Sequence, residues 1–188
     1  LALWQYFARS VGAGSSSLIT NIGIITKVYF PRLILPLSAV LSGLLDLAIT
    51  FVLLLAMLLY YGLAPSGHAA ALPFFVLLTV FLAAGVSLWL SALNALYRDV
   101  GFIVPFLLQV WMYATPVIYP VSLVPERWQW LLYLNPMTAF IEGIRWSVLG
   151  AEPPNPAGLV ASVAITTIIL FGGLAVFRRI EGIVADRI

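Results

Sequence analysis

The sequence predicts an all-α integral membrane protein, and two observations carry that prediction. Of 188 residues, 63% are hydrophobic and only 9% are charged, whereas soluble domains carry about a quarter of their residues as charges. The nine basic and seven acidic residues gather at the seams between long apolar runs, each long enough to cross a bilayer at about 20 residues per span. Backbone groups in hydrocarbon must be satisfied within their own segment, so these runs read as helices. Residues 1–188 are too few for several independent domains and read as one transmembrane domain.

Five spans can be placed in order. The first covers about Leu1 to Thr20, the second Ile34 to Tyr61, and the third Leu72 to Ala95. The fourth runs from about Phe102 to Tyr119 and the fifth from Leu159 to Phe177. Lys27 and Arg32 fall in the first connection, Arg98 in the third, and Arg178, Arg179 and Arg187 in the tail, while Gly62 to Ala71 carries no basic residue. The positive-inside rule therefore puts connections one and three and the C-terminus in the cytoplasm. Leu1 then lies outside, where a span is already under way. That predicts a missing N-terminal piece containing one more helix, which would return the true N-terminus to the cytoplasm. No cleavable signal pattern is visible.

The fourth connection, Pro120 to Pro156, lies outside and differs from the rest. Trp128 to Leu134 and Met137 to Leu149 are apolar and aromatic but too short to span, and Asn135-Pro136 separates them. A residue before proline avoids helical geometry, so the chain breaks there. Two short helices that dip into the outer leaflet or lie along it are expected. Trp128, Trp130, Tyr133 and Trp146 suit the headgroup level.

Composition excludes several functions. A net charge of +2 rests on very few residues, so the alkaline pI of about 9.1 implies no nucleic-acid partner. The absence of cysteine removes disulfides and thiolate metal sites. His68 is the one histidine, in a small-residue outer loop, and no metal-ligand spacing surrounds it. Lys27 is the one lysine and belongs to no phosphate loop, so any nucleotide hydrolysis falls to another chain. A membrane-embedded transferase or protease would need a cluster of nucleophile, carboxylate or histidine groups that is not found. Glu142 and Arg145, three apart on one helical face, read as an ion pair supporting the outer connection rather than as an active site.

Two charges lie inside spans. Arg9 and Asp46 each sit ~15–18 Å from the inner surface at ~1.5 Å per residue. An isolated charge there costs ~2.5–3.5 kcal/mol on insertion scales. The two are expected to pair between antiparallel helices, first as a structural clamp and second as a substrate contact. An ion-coupled transporter would show more such groups and often internal repeats.

The first cytoplasmic connection, residues 21–36, packs Asn21, Lys27, Tyr29, Phe30, Pro31 and Arg32 into a short stretch. Composition alone favours a basic turn that anchors two helix ends at the headgroups. The alternative is a short helix whose aromatics dock into a groove on a cytoplasmic partner.

Lys27-Val-Tyr-Phe-Pro-Arg-Leu-Ile-Leu-Pro36 closely resembles the segment after the second helix in type-2 ABC exporter permeases of the polysaccharide and polyol-phosphate branch, the O-antigen and teichoic-acid type. Tyr97-Arg98-Asp99-Val100, Thr115-Pro116-Val117-Ile118-Tyr119-Pro120, and Leu134-Asn135-Pro136 with Arg145 follow in the family's order. The tail from Phe177 through Glu181 to Ala185-Asp186 also ends as these permeases end, so the resemblance covers the whole chain. It implies six spans, of which this chain shows five, and a homodimer in the bacterial cytoplasmic (inner) membrane. It also implies two separate ATP-binding subunits that hold ATP and Mg, with no cofactor on this chain and a lipid-linked glycan as cargo.

Under the same resemblance, residues 21–36 would be the segment coupled to the ATPase, reversing the reading from composition. Arg98 and Asp99 would make a second cytoplasmic contact or line the pore's inner mouth. Residues 120–156 would form the external gate, with Trp128, Trp130, Asn135, Pro136, Glu142 and Arg145 in it. The same scaffold also serves exporters of drugs and small lipids. Sugar faces stack on aromatic rings, so Trp4, Tyr6, Phe7, Trp89, Trp111, Tyr113 and Tyr119 are candidates for a substrate path, although such rings also form lipid-facing belts. Trp111 and Tyr113 point about 200° apart and cannot share one wall.

Overall fold

A computed structural model of the chain describes residues 1–25, 31–62, 66–97 and 99–185. Every regular element among them is helical: α1 (Ala2–Thr20), α2 (Ile22–Ile25), α3 (Ile34–Tyr60), α4 (Leu72–Leu96), α5 (Val100–Ala114), α6 (Glu126–Tyr133), α7 (Pro136–Leu149) and α8 (Pro156–Ala185). Short 3-10 turns at Ala69–Ala71 and Val121–Leu123 precede α4 and α6. By length and composition, three of these are long and apolar enough to cross a membrane: α3, α4 and α8. The 19 residues of α1 suffice in length, but Gln5, Arg9 and the Gly-Ser run lower its hydropathy. The apolar helix α5 is only 15 residues long.

Prolines set the boundaries that differ from the expected spans. The fourth was expected to reach Tyr119, yet α5 stops at Ala114 because Thr115 precedes Pro116 and takes an extended backbone, φ −102° and ψ 136°. The fifth was expected to start at Leu159. Instead α8 begins at Pro156, where the Asn155 side chain accepts from the backbone N–H of Ala157 at 3.0 Å and of Gly158 at 3.3 Å. The same device opens α7: Pro136 occupies the first turn and Asn135 accepts from Met137 N–H at 3.2 Å. Proline at the first helical position has no N–H to leave unpaired, and asparagine caps the next donors. Gly150 closes α7 in the left-handed region, φ 67°, as glycine C-caps do.

At the centre stands α4, packed against α1, α3, α7 and α8. Phe7, Leu82, Met137 and Phe140 are completely buried where α1, α4 and α7 meet. Crossings are close because small residues sit at them. A Cβ on Gly85 would lie 2.8 Å from Leu170 Cα, and one on Gly173 would lie 2.6 Å from the Gly85 carbonyl oxygen. Small residues at helix crossings let backbones approach where no hydrophobic force drives association in lipid. The two short outer helices part company: α7 is buried along Met137, Thr138, Ala139 and Phe140, while α6 has no buried residue.

Candidate functional site

The C-terminal end of α5 and the start of α7 are tied through one asparagine. Asn135 Oδ1 accepts from Trp111 Nε1–H at 3.0 Å, and its Nδ2 donates to Thr115 Oγ1 at 2.7 Å, besides capping α7. A second tie lies one turn beyond. Arg145 Nη2 donates to the Val117 carbonyl at 2.7 Å and Nη1 to the Tyr119 carbonyl at 3.4 Å. These carbonyls belong to the non-helical segment that follows α5. The short helix is thus latched to the end of a membrane helix at two points.

That placement corrects the expected Glu142–Arg145 ion pair, which does not form. The guanidinium is spent on the Val117 and Tyr119 carbonyls. Glu142 Oε1 instead accepts from Tyr133 O–H at 3.4 Å, and its Oε2 has no protein partner. Both groups face a cavity of about 660 Å³ lined also by Gln129, Glu152 and Asn155. Burial pushes the Glu142 carboxyl above its ordinary 4.5, against opposing pulls from Tyr133 and Arg145. Burial and the neighbouring Glu142 push Tyr133 up to about 12. A carboxyl whose value rises on folding adds stability that is present below 4.5 and lost as pH rises through the raised value. Glu142→Gln is therefore expected to melt with a flatter pH dependence above pH 4.5 than the parent, seen in thermal melts of the detergent-solubilised protein. An unchanged slope rejects Glu142 as its source.

The aromatic candidates for a path fall in different places. Trp4 and Phe7 are buried, and with Trp111 they form an edge-to-face cluster with centroids 5.1–6.3 Å apart. Tyr6 is buried and donates to the Val40 carbonyl at 3.1 Å. Trp4, Phe7 and Trp111 pack in or against the core, while the buried Tyr6 also borders a groove between α1 and α3. Trp89 donates to the Ile169 carbonyl at 3.1 Å across α4 and α8. Tyr119 O–H reaches the Tyr113 carbonyl at 3.4 Å, and Tyr113 itself is exposed. Tyr113 continues an exposed stripe on α5 with Phe102, Phe106 and Gln109, three residues that sequence reasoning missed. Their spacing of three and four is that of one helical face, but in an almost uniformly apolar run it gives little contrast. Trp128 and Trp130 are exposed on α6. The loop histidine, His68, stacks on Trp146 with centroids 4.5 Å apart.

Of the residues expected in the first and third connections, Lys27, Tyr29, Phe30 and Arg98 lie outside the described residues. Asn21 closes α1, donating from Nδ2 to the Ser17 carbonyl at 2.8 Å. Pro31 and Asp99 are exposed, Asp99 just ahead of α5. Arg32 is bound to the inner part of α8: its backbone N–H donates to Glu181 Oε1 at 3.3 Å, and Nη1 donates to the Glu181 carbonyl at 3.1 Å. Asn94, buried and also missed, donates to the Ser15 carbonyl at 2.9 Å and accepts from Gly101 N–H at 3.0 Å, joining α1, α4 and α5. Arg9 Nη1 lies 3.9 Å from Asp46 Oδ2, with the two side chains 74% and 73% exposed. Among the described residues no three metal-ligating side chains come together.

Residues 7–149 match the ABC-2 type transporter family. The chain is 31% identical over 177 residues to the O-antigen export system permease protein RfbA of Myxococcus xanthus, covering 93% of this chain and 68% of that one. The same-named protein of Klebsiella pneumoniae is 31% identical over 180 residues, 95% of this chain and 69% of that one. A shorter similarity, 30% over 100 residues, joins it to the inner membrane transport permease YadH of Escherichia coli, covering 51% of this chain and 38% of that one.

Proposed function

Because this chain belongs to the ABC-2 type transporter family, we propose that it is the membrane-spanning subunit of an exporter that carries a lipid-linked polysaccharide across the bacterial inner membrane. The observation that carries this reading is the similarity to O-antigen export permeases over more than nine-tenths of the chain. The apolar helices and the family agree with a multi-pass transport subunit rather than an enzyme.

The finer picture follows from the family likeness. ATP and its Mg are held by two copies of a cytoplasmic ATP-binding subunit, and two copies of this permease enclose the path. Residues 21–36, with Asn21, Lys27, Tyr29, Phe30, Pro31 and Arg32, meet the ATPase from below, and Arg98 and Asp99 add a second contact. The C-terminus lies in the cytoplasm. Residues 120–156 form the external gate, in which α6 and α7 sit against the end of α5. Two features support that role: hydrogen bonds at Asn135 and Arg145 join α7, itself packed into the core, to the segment that ends α5, and a cavity of about 660 Å³ lies beside it. The exposed stripe on α5, with Tyr113, offers rings on which sugars stack.

Deleting this permease in its native host is expected to strip the polymer from the cell surface and leave its lipid-linked form on the cytoplasmic leaflet. Leaflet-specific lectin labelling reads both. Unchanged surface polymer rejects the polysaccharide reading. Loss of drug or lipid efflux instead would assign the chain to the small-molecule branch.

A further inference from the structure

We infer that the seam between α1 and α3, centred on Arg9 and Asp46, is a water-filled wall of the export path that takes the hydroxyl groups of the sugar chain. The inference rests on the polysaccharide reading and adds a contact surface to it. The exposed residues of α1 are Gln5, Arg9, Ala13 and Thr20, with no large apolar side chain among them. At 100° per residue they fall within roughly 80° of arc. The rest of the helix is covered to various degrees by α3, α4 and α5. A helix whose open face holds arginine and glutamine is not facing lipid tails.

The neighbouring helix says the same by contrast. Ser42, Asp46 and Thr50 are exposed on α3 toward α1, beside Ala39 and Gly43, and they line a groove of about 320 Å³ with Gln5 and Arg9. About 100° around the same helix, Leu41, Leu45, Ile49 and Val52 are exposed and wholly apolar. One side of α3 therefore suits hydrocarbon along its length, while the other is polar from Ser42 to Thr50 and turns apolar beyond, at Leu53 and Met57. Asp46 lies near the middle of the 27-residue α3 and Arg9 near the middle of α1, at the depth where unshielded charge is least tolerated.

The pairing is loose, 3.9 Å with about three-quarters of each side chain open. Much of each charged group's donor and acceptor capacity is left for a ligand. The hydroxyls of Ser42 and Thr50 already donate to the Ala39 and Asp46 carbonyls at 3.0 and 2.7 Å, so they need no further protein acceptor. Their oxygens still accept. A charged pair, an amide and acceptor hydroxyls match the donor-rich, neutral edge of a sugar polymer.

The sequence contains no cysteine, so single-cysteine variants can be read directly. Ser42→Cys and Gln5→Cys probe the seam, Leu45→Cys probes the apolar side of the same helix, and Ser66→Cys serves as a loop control. Each is expressed with its ATPase in cells with and without the lipid-linked polymer, and membranes are treated with a charged, membrane-impermeant thiol reagent. Thiolate is the reactive form, and an apolar setting keeps the thiol protonated, so Ser42→Cys is expected to react at least about tenfold faster than Leu45→Cys. Polymer-loaded membranes should slow the seam cysteines several-fold and leave Ser66→Cys unchanged. Equal rates at Ser42→Cys and Leu45→Cys would overturn the inference, with another protein segment or lipid sealing the seam. Fast labelling that the polymer leaves unchanged would overturn the sugar as occupant. Surface polymer scored in the same strains separates these outcomes from failure of the exporter reading, because the labelling contrast in polymer-free membranes does not depend on export.

Discussion

An Asn135→Ala permease is expected to insert normally, melt lower and lose export. The substitution removes one N-cap, worth about 1 kcal/mol. It also leaves the partly buried Trp111 indole N–H without its acceptor, a further cost of about 1–3 kcal/mol. At about 2–4 °C per kcal/mol for a chain of this size, a sum of roughly 2–4 kcal/mol lowers the melting temperature by about 5–15 °C. The functional loss should exceed what stability explains, since Asn135 binds both Trp111 and Thr115 on the α5 side while capping α7. Trp111→Phe separates the two effects. It keeps the ring that packs on Trp4 and Phe7 but removes the donor, so it should impair export while melting near the parent. Full export by both variants would show that the latch plays no part in gating.

How much of this was legible in the sequence follows from the kind of signal each feature leaves. Long apolar runs bounded by charges announce their helices, and the helices stand within a few residues of where those runs place them. The break at Asn135-Pro136 was legible because proline constrains its predecessor through covalent geometry alone. Asn155-Pro156 carries the same signal and was passed over in favour of hydropathy, which begins later than the cap does.

Apart from the Arg9–Asp46 pair, the partners distant in sequence left no trace. Arg145 reaches the Val117 and Tyr119 carbonyls, 28 and 26 residues back. The local rule for residues three apart pointed instead to Glu142. A backbone acceptor has no residue type, so no pattern of side chains could have named it. The aromatics failed for a related reason. Ring chemistry is the same in the core and on a channel wall, and only packing sends Trp4 and Phe7 inward while leaving Phe102 and Phe106 open.

The inner end supports the other large expectation. Arg32→Glu is expected to uncouple the exporter: ATP hydrolysis continues while export falls about tenfold. Arg32 is held to α8 by its own N–H on the Glu181 carboxylate and by its guanidinium on the Glu181 carbonyl. It also lines a small crevice with Leu18, Ala92 and Phe177, where the inner parts of α1, α4 and α8 meet. A force applied at Arg32 therefore reaches α8 directly, beside the place where it meets α1 and α4. The guanidinium bonds the Glu181 carbonyl rather than its carboxylate, a charge-assisted hydrogen bond worth about 1.5–3 kcal/mol. Arg32→Glu removes that donor and sets a second carboxylate beside Glu181, so the docked position loses at least about 1.5 kcal/mol, close to the 1.4 kcal/mol that makes a factor of ten. Glu181→Arg added to Arg32→Glu should restore part of the export but not all, because the glutamate no longer accepts the backbone N–H of residue 32. Proteoliposomes that hold the permease with its ATPase give both rates in one sample. Normal export by Arg32→Glu would remove this contact from the coupling path, and loss of hydrolysis together with export would mark it as a fold contact alone.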